Sequence, residues 1–282
     1  MIETLANVQG IDGWLYAITI FIGLMVGSFL NVVIVRVPQR LHWQWQGQAK
    51  GLPKPPGIAG PASQCPHCRQ SIRWRDNLPL ISFLVLRGRC HWCSGEISRR
   101  YPLIEALCAT MTLIVVWFLG FEWLTLAALA FTWCMIALAA IDIEHFLLPD
   151  CITLPLLGAG LIVNAVGGFT DLTSAVVGAV AGYGILWSVF QAFRIATGKE
   201  GMGYGDFKLL AALGAWMGWQ MLPLILLLSA GTGAIIGITM LVLKQQERNQ
   251  PVPFGPYLAG GGWLALLWGM DLNQFYLAIA GL

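Results

Sequence analysis

The sequence predicts an all-α polytopic membrane protein of about eight transmembrane helices that carries one long cytoplasmic loop, and three observations predict it. Hydrophobic residues fill 57% of the 282 positions and charged residues only 11%, with a mean hydropathy of +0.70. A soluble domain is roughly a quarter charged. The apolar residues gather into eight runs, most of them long enough at about 1.5 Å per residue to cross a hydrocarbon core of about 30 Å. Of the 16 Lys and Arg residues, 15 fall in alternate connections and Lys208 stands at the edge of one, all on one side of the membrane, as the positive-inside rule requires. The net charge of +2 says little about partners; its distribution says more.

The N-terminal stretch Met1 to Trp14 carries Glu3 and Asp12 but no Lys or Arg. It lacks the basic region of a cleaved signal peptide, so the first span is expected to stay in the mature chain. That span runs from Ile11 to Val35 and stops at Arg36. Gly23 and Gly27 within it form a small-xxx-small pair suited to close helix packing, and Ser28 and Asn31 add polar groups on its cytosolic half. From Arg36 to Arg100 the composition changes to Pro, Gly, Gln and Arg, with eleven basic residues, and this loop belongs in the cytoplasm. Its first third, through Pro53 to Gly57, reads as irregular linker. The loop's basic residues and Trp43, Trp45, Trp74 and Trp92 suit anionic lipid more simply than nucleic acid, so membrane lipids are the expected partner and nucleic acid is not.

Further spans are predicted at Pro102 to Gly120, Phe121 to Ile141, Cys151 to Gly168, Leu172 to Phe193, Phe207 to Gln220, Met221 to Leu243, and Tyr257 to about Ala280. With the N-terminus outside, residues 36–100, 142–150, 194–206 and 244–256 are cytoplasmic, while Glu3, Asp12, Glu122, Asp171 and Asp271 lie outside. Both termini are then on the outer face. The segment 207–220 is shorter than the usual span and could equally be re-entrant. The organisation expected is a first transmembrane helix at 1–35, a cytoplasmic loop domain at 36–100 and a transmembrane core at 101–282.

Four of the seven cysteines stand in that loop as Cys65-Pro66-His67-Cys68 and Cys90-His91-Trp92-Cys93. Two CxxC turns present sulfurs at a bite suited to tetrahedral zinc, and a reducing cytosol disfavours disulfides. The expected ligands are Cys65, Cys68, Cys90 and Cys93, with His67 or His91 replacing one thiolate as the variant. Cys108, Cys134 and Cys151 lie in or beside spans and read as small packed hydrophobes.

The stretch Gly201-Met202-Gly203-Tyr204-Gly205-Asp206-Phe207-Lys208 places a carboxylate where a membrane run begins. Its glycines offer positive φ and close backbone approach. A buried lone charge is costly there, which makes Asp206 a functional candidate; the bland alternative is an interfacial Asp beside Lys208. Asp142 ends the run before Glu144, His145 and the stop at Pro149, on the same cytosolic level. Two carboxyls a few ångströms apart cannot both ionise, so the pair shares one proton. The ionised member takes a proton from water while the other donates to a scissile carbonyl, which is peptide hydrolysis. No HExxH is present, and the CxxC pairs look coordinatively closed, so zinc-dependent hydrolysis is disfavoured.

Taken together, Gly27-Ser28-Phe29-Leu30-Asn31-Val32-Val33-Ile34 with Arg36 and Pro38, the two CxxC pairs, Asp142 to Asp150 and Gly201 to Lys208 carry a resemblance. Over essentially its whole length the chain resembles the bacterial type IV prepilin peptidases, also called leader peptidase/N-methyltransferases, of the GxGD intramembrane aspartyl proteases. Gly203 and Gly205 with Asp206 fit the GxGD pattern, and Asp142 matches the first catalytic position. The resemblance implies a multi-pass enzyme of the bacterial inner membrane. It would cut the basic leader of type IV prepilins or pseudopilins on the cytosolic side after a Gly. It would then methylate the new N-terminus from S-adenosylmethionine; no motif marks that second site. From another class, a proton-coupled transporter would also use intramembrane carboxylates, but its sites usually lie at midplane within inverted repeats, which are not found here. A membrane scaffold whose zinc loop binds a partner is the third reading.

Overall fold

The computed structural model describes residues 13–199, 201–243 and 252–280, and among these the regular structure is helical, with two isolated β-bridges in the largely irregular stretch 48–99. Helix α1 spans Gly13–His42 and continues as a π turn at Trp43–Gly47; α2 is the short Ile81–Val85. The remaining helices are α3 (Arg100–Leu119), α4 (Trp123–His145), α5 (Asp150–Ala165), α6 (Leu172–Thr197), α7 (Tyr204–Met217), α8 (Leu222–Val242) and α9 (Gly255–Ala280). Among the described residues all the predicted apolar runs fall in helices, and five helices are long and apolar enough to cross a membrane. Two compact units are formed, one up to Ala137 and one from Leu138. Glu3 and Asp12, and Lys244 and Arg248 of the expected fourth cytoplasmic connection, lie outside the described residues.

In the first unit α1 packs along α3 because Gly23 and Gly27 let the backbones meet. A Cβ on Gly23 would stand 2.6 Å from Ala109 Cα, and one on Gly27 would stand 2.7 Å from Glu105 Cα. The opposite face of α1 shows Phe21, Ile22, Met25 and Phe29, as a lipid-facing surface should. The helix does not stop at Arg36. It runs on through buried Val37 and Pro38, and Arg36 donates to the carbonyls of Gly57 and Pro61 at 2.7 and 2.8 Å. The expected linker is thus helical in its first part: the guanidinium finds backbone acceptors in the loop that folds back on it, so a charge need not end the helix.

In the second unit α7 is short and almost wholly buried, enclosed by α5, α6 and α9. Its 14 residues extend about 21 Å. A helix apolar on every side belongs inside other helices. Gly178 on α6 and Gly214 on α7 meet backbone to backbone, and Gly182 faces the Leu210 carbonyl in the same groove. Asn164 ties the far end: Nδ2 donates to the carbonyls of Ala215 and Trp216, and Oδ1 accepts from Phe169 N and Thr170 N. Gly218 at φ +82 ends α7 before the turn Trp219–Met221 leads into α8, so the run 207–243 is two helices. Asp171 caps α6, and hydrogen bonds from Ser174 hold its carboxyl below the usual range.

Candidate active site and metal centre

Asp142 sits in the last turn of α4. The helix ends three residues on because Phe146 takes φ +53, and Phe146 N donates to Asp142 O at 2.9 Å. Pro149, expected as the stop, is instead the N-cap of α5: its fixed φ suits the entry to a helix. Asp142 as a residue is 6% exposed. Its Oδ2 accepts from Gly255 N at 2.9 Å, the first residue of α9. The first N–H groups of a helix have no intrahelical acceptor and carry the positive end of its dipole, so a carboxyl oxygen is a fitting partner. A Cβ on Gly255 would fall 2.7 Å from that oxygen.

Asp206 is in the first turn of α7, capped by Gly203, and is 7% exposed. It is therefore on a helix rather than a flexible loop. Gly203 has φ −79, and none of Gly201, Gly203 and Gly205 has positive φ. What the motif supplies at Gly205 is room: a Cβ there would stand 2.7 Å from Leu148 Cβ, and Leu148 also borders Gly255. Phe190, Tyr204 and Phe207 pack ring to ring at centroid distances of 5.4 to 5.6 Å and fix this turn. The structure therefore places both sequence candidates, buried, in helix-end turns that border the same Leu148, one beside Gly205 and the other beside Gly255. Lys208, the sequence neighbour of Asp206, pairs instead with Asp150 at 2.7 and 2.8 Å. That pair is half exposed and worth at most about 1 kcal/mol. Glu144 and His145 follow Asp142 in the same last turn of α4, partly exposed, His145 Nε2 lying 3.9 Å from Glu144 Oε2.

Gly255 and Leu148 were missed in the sequence. The signal for Gly255 was Pro253-Phe254-Gly255-Pro256 ahead of an apolar run, a helix start with no room for a side chain at its first N–H. We expect Gly255→Ala to displace the Asp142 carboxyl and slow any reaction at the pair by about 100-fold, the cost of a misplacement near 1 Å. Wild-type turnover by a correctly inserted Gly255→Ala protein would refute this.

In the loop, the sulfurs of Cys65, Cys68, Cys90 and Cys93 all lie within 4.8 Å of one another. Cys65 Sγ and Cys93 Sγ are 3.8 Å apart. Tetrahedral zinc with Zn–S near 2.3 Å sets its sulfurs about 3.8 Å apart, so this set fits the metal. Neither His67 nor His91 joins the group; His91 Nε2 is 3.3 Å from Arg73 Nη1. The two turns repeat one design. Cys65 N bonds Gln70 O and Cys90 N bonds Gly95 O, while Arg69 N bonds Cys65 O and Ser94 N bonds Cys90 O. Arg69 and Ser94 both take positive φ, at +59 and +55. Bridges Gln64 to Ser71 and Arg89 to Glu96 close the two turns. The backbone N–H groups of Cys93 and then Trp92 draw the Cys90 thiol down to about 7, whereas at Cys93 the Gly95 N–H is outweighed by burial and the three neighbouring sulfurs, which push that thiol up to about 11. Elsewhere Cys108 is buried as expected and Cys134 is partly buried, whereas Cys151, in the first turn of α5, is exposed.

Residues 21–119 match the family described as Bacterial Peptidase A24 N-terminal domain, and residues 129–238 match the Type IV leader peptidase family. A protein of Aeromonas hydrophila called prepilin leader peptidase/N-methyltransferase is 52% identical over 274 residues, covering 94% of both chains. One of the same name from Pseudomonas aeruginosa is 51% identical over 93% of both. Another, from Xanthomonas campestris, is 44% identical over 93% of this chain and 94% of its own. No solved structure matches.

Proposed function

This chain belongs to the type IV leader peptidase family, and from that premise we propose that it cleaves the leader of type IV prepilins or pseudopilins and methylates the new N-terminus. The observation that carries the proposal is the buried pair Asp142 and Asp206, each held at a helix end. One carboxylate takes a proton from water, whose oxygen attacks the scissile carbonyl carbon; the protonated partner donates to the carbonyl oxygen. The tetrahedral intermediate then expels the amine, which leaves with a proton returned from the pair. Gly203 and Gly205 support this pair by capping α7 and admitting Leu148. The test is cleavage of a full-length precursor by purified protein, with the cut expected after the Gly of the leader. An intact precursor under conditions where the protein is folded would overturn the reading. Nothing favours the transporter.

The finer assignments follow the same reading. Cys65, Cys68, Cys90 and Cys93 would hold a structural zinc, which cross-links two turns and takes no part in the cut. S-adenosylmethionine would be the methyl donor. Residues 1–35 would form the first membrane helix, 36–100 the cytoplasmic zinc loop and 101–282 the peptidase core of a multi-pass inner-membrane protein. The basic loop would face the cytoplasm and both termini the periplasm. In intact cells a Cys placed at Asp171 should react with an impermeant reagent and one at Lys50 should not. The reverse pattern would invert the topology.

A further inference from the structure

In the first unit, helix α2 turns an apolar face outward. Ile81, Leu84 and Val85 stand at the spacing that makes one side of a helix, and they are 58%, 73% and 75% exposed. A helix surrounded by water would carry polar side chains there. The other side of α2 is occupied, since Phe83 and Leu86 line the cavity between the loop and the cytosolic ends of α1 and α3. One hydrogen bond sets the height of α2: Leu80 N, at its N-cap, donates to Glu105 Oε2 at 2.9 Å. Glu105 lies about 7.5 Å along α3 from Arg100, in a helix long and apolar enough to cross a membrane. The start of α2 is therefore level with the first turns of α3, not beyond them. At that level α3 itself exposes Leu103 and Leu107, an i, i+4 pair of the kind that faces lipid. From Arg73 to Arg100 the chain has six Arg and, against them, only Asp76 and Glu96. Arg75, Arg87 and Arg89, which flank α2, are exposed.

We propose that α2 is an interfacial anchor that lays Ile81, Leu84 and Val85 into the cytosolic leaflet while Arg75, Arg87 and Arg89 meet the phosphates of anionic lipids. The inference rests on the topology proposed above, which puts the loop in the cytoplasm. The boundary between acyl chains and headgroups accepts this arrangement: the aliphatic side chains leave water, and the guanidiniums stay in the phosphate layer. Two observations choose lipid over a protein partner. The apolar face continues, at the same height, the exposed leucines of a membrane-crossing helix, and the surplus charge around it has the sign that anionic headgroups attract. Because Phe83 and Leu86 are on the opposite side of the same short helix, the anchor also holds one wall of the cavity in place.

The test places the full-length protein in bilayers of phosphatidylglycerol and phosphatidylcholine in equal amounts, with a trace of one lipid or the other carrying a photoactivatable group high on an acyl chain. Light is expected to label the peptide holding Ile81 to Val85 as well as the one holding Leu103 and Leu107. The phosphatidylglycerol probe should label the first peptide several times more than the phosphatidylcholine probe, an excess that added salt reduces. Leu84→Asp combined with Val85→Asp alters only exposed side chains. It is expected to cut the label on that peptide by about tenfold, with the label on α3 and the melting temperature unchanged. A benzophenone side chain in place of Leu84 should capture lipid. Label on α3 with none on residues 81–85, equal yields from the two probes, or capture of a second copy of the chain by the benzophenone would each overturn the anchor. An inverted topology would show separately, in the reactivity of Lys50→Cys toward the impermeant reagent.

Discussion

Asp142→Asn and Asp206→Asn are each expected to abolish leader cleavage, by at least about a thousandfold, while leaving methyl transfer to a pre-cleaved peptide in place. Hydrolysis needs one group to accept a proton and one to donate it at the same carbonyl, and an amide can do neither at this pH. The substitution is otherwise small. Asn keeps the size of Asp, and at residue 142 its side-chain oxygen can still accept from Gly255 N. The two effects should not add in the double variant, because the carboxyls act as one unit. Cleavage in the wild type should show a bell-shaped pH profile from the pair. Methyl transfer asks chiefly for positioning of amine and donor, so it need not follow that profile. Each variant is to be given a full-length precursor and a trimmed peptide with labelled methyl donor. Wild-type cleavage by either would remove the pair from the mechanism, and loss of methylation in folded variants would show that the two sites overlap.

The helices and the paired carboxylates were legible in the sequence because both rest on local patterns. An apolar run of sufficient length has few alternatives to a helix, and a carboxylate at the end of such a run is conspicuous. Asp142 and Asp206 are 64 positions apart, yet the common cytosolic level assigned by the Lys and Arg count was enough to pair them. What the pattern could not show depends on partners far along the chain. Gly255 meets Asp142 across 113 residues, and nothing near either residue announces the other. The glycines of 201–205 were read for conformational freedom, whereas Gly205 is needed for the space Leu148 fills. Arg36 seemed to end a span because charge and lipid do not mix; its partners at Gly57 and Pro61 lie in a loop whose path sequence does not reveal.

Replacing Cys65 and Cys68 together by Ser is expected to reduce bound zinc from about one equivalent per chain to none and to unfold the loop. The expected size follows from comparing magnitudes. Structural zinc contributes an apparent stabilisation of about 10–16 kcal/mol to small metal domains, as much as the whole net stability of a typical fold, about 5–15 kcal/mol. The stretch from Cys65 to Cys93 has little else to hold it: Trp74, Ile81, Leu84 and Val85 are exposed, and α2 is a single short helix. Four sulfurs sharing one zinc would make one cross-link between the two turns, so losing either pair would lose that restraint. The contact of α1 with α3 at Gly23 and Gly27 does not depend on the metal. The double variant should therefore still enter the membrane, with its loop cut rapidly by added protease between residues 52 and 99. Cleavage and methylation are expected to fall together with metal content, whether it is removed by substitution or by a strong chelator. Full zinc content in the Cys65 and Cys68 double variant would rule out the four-sulfur site. A protease-resistant loop in zinc-free protein would show that the loop folds without its metal.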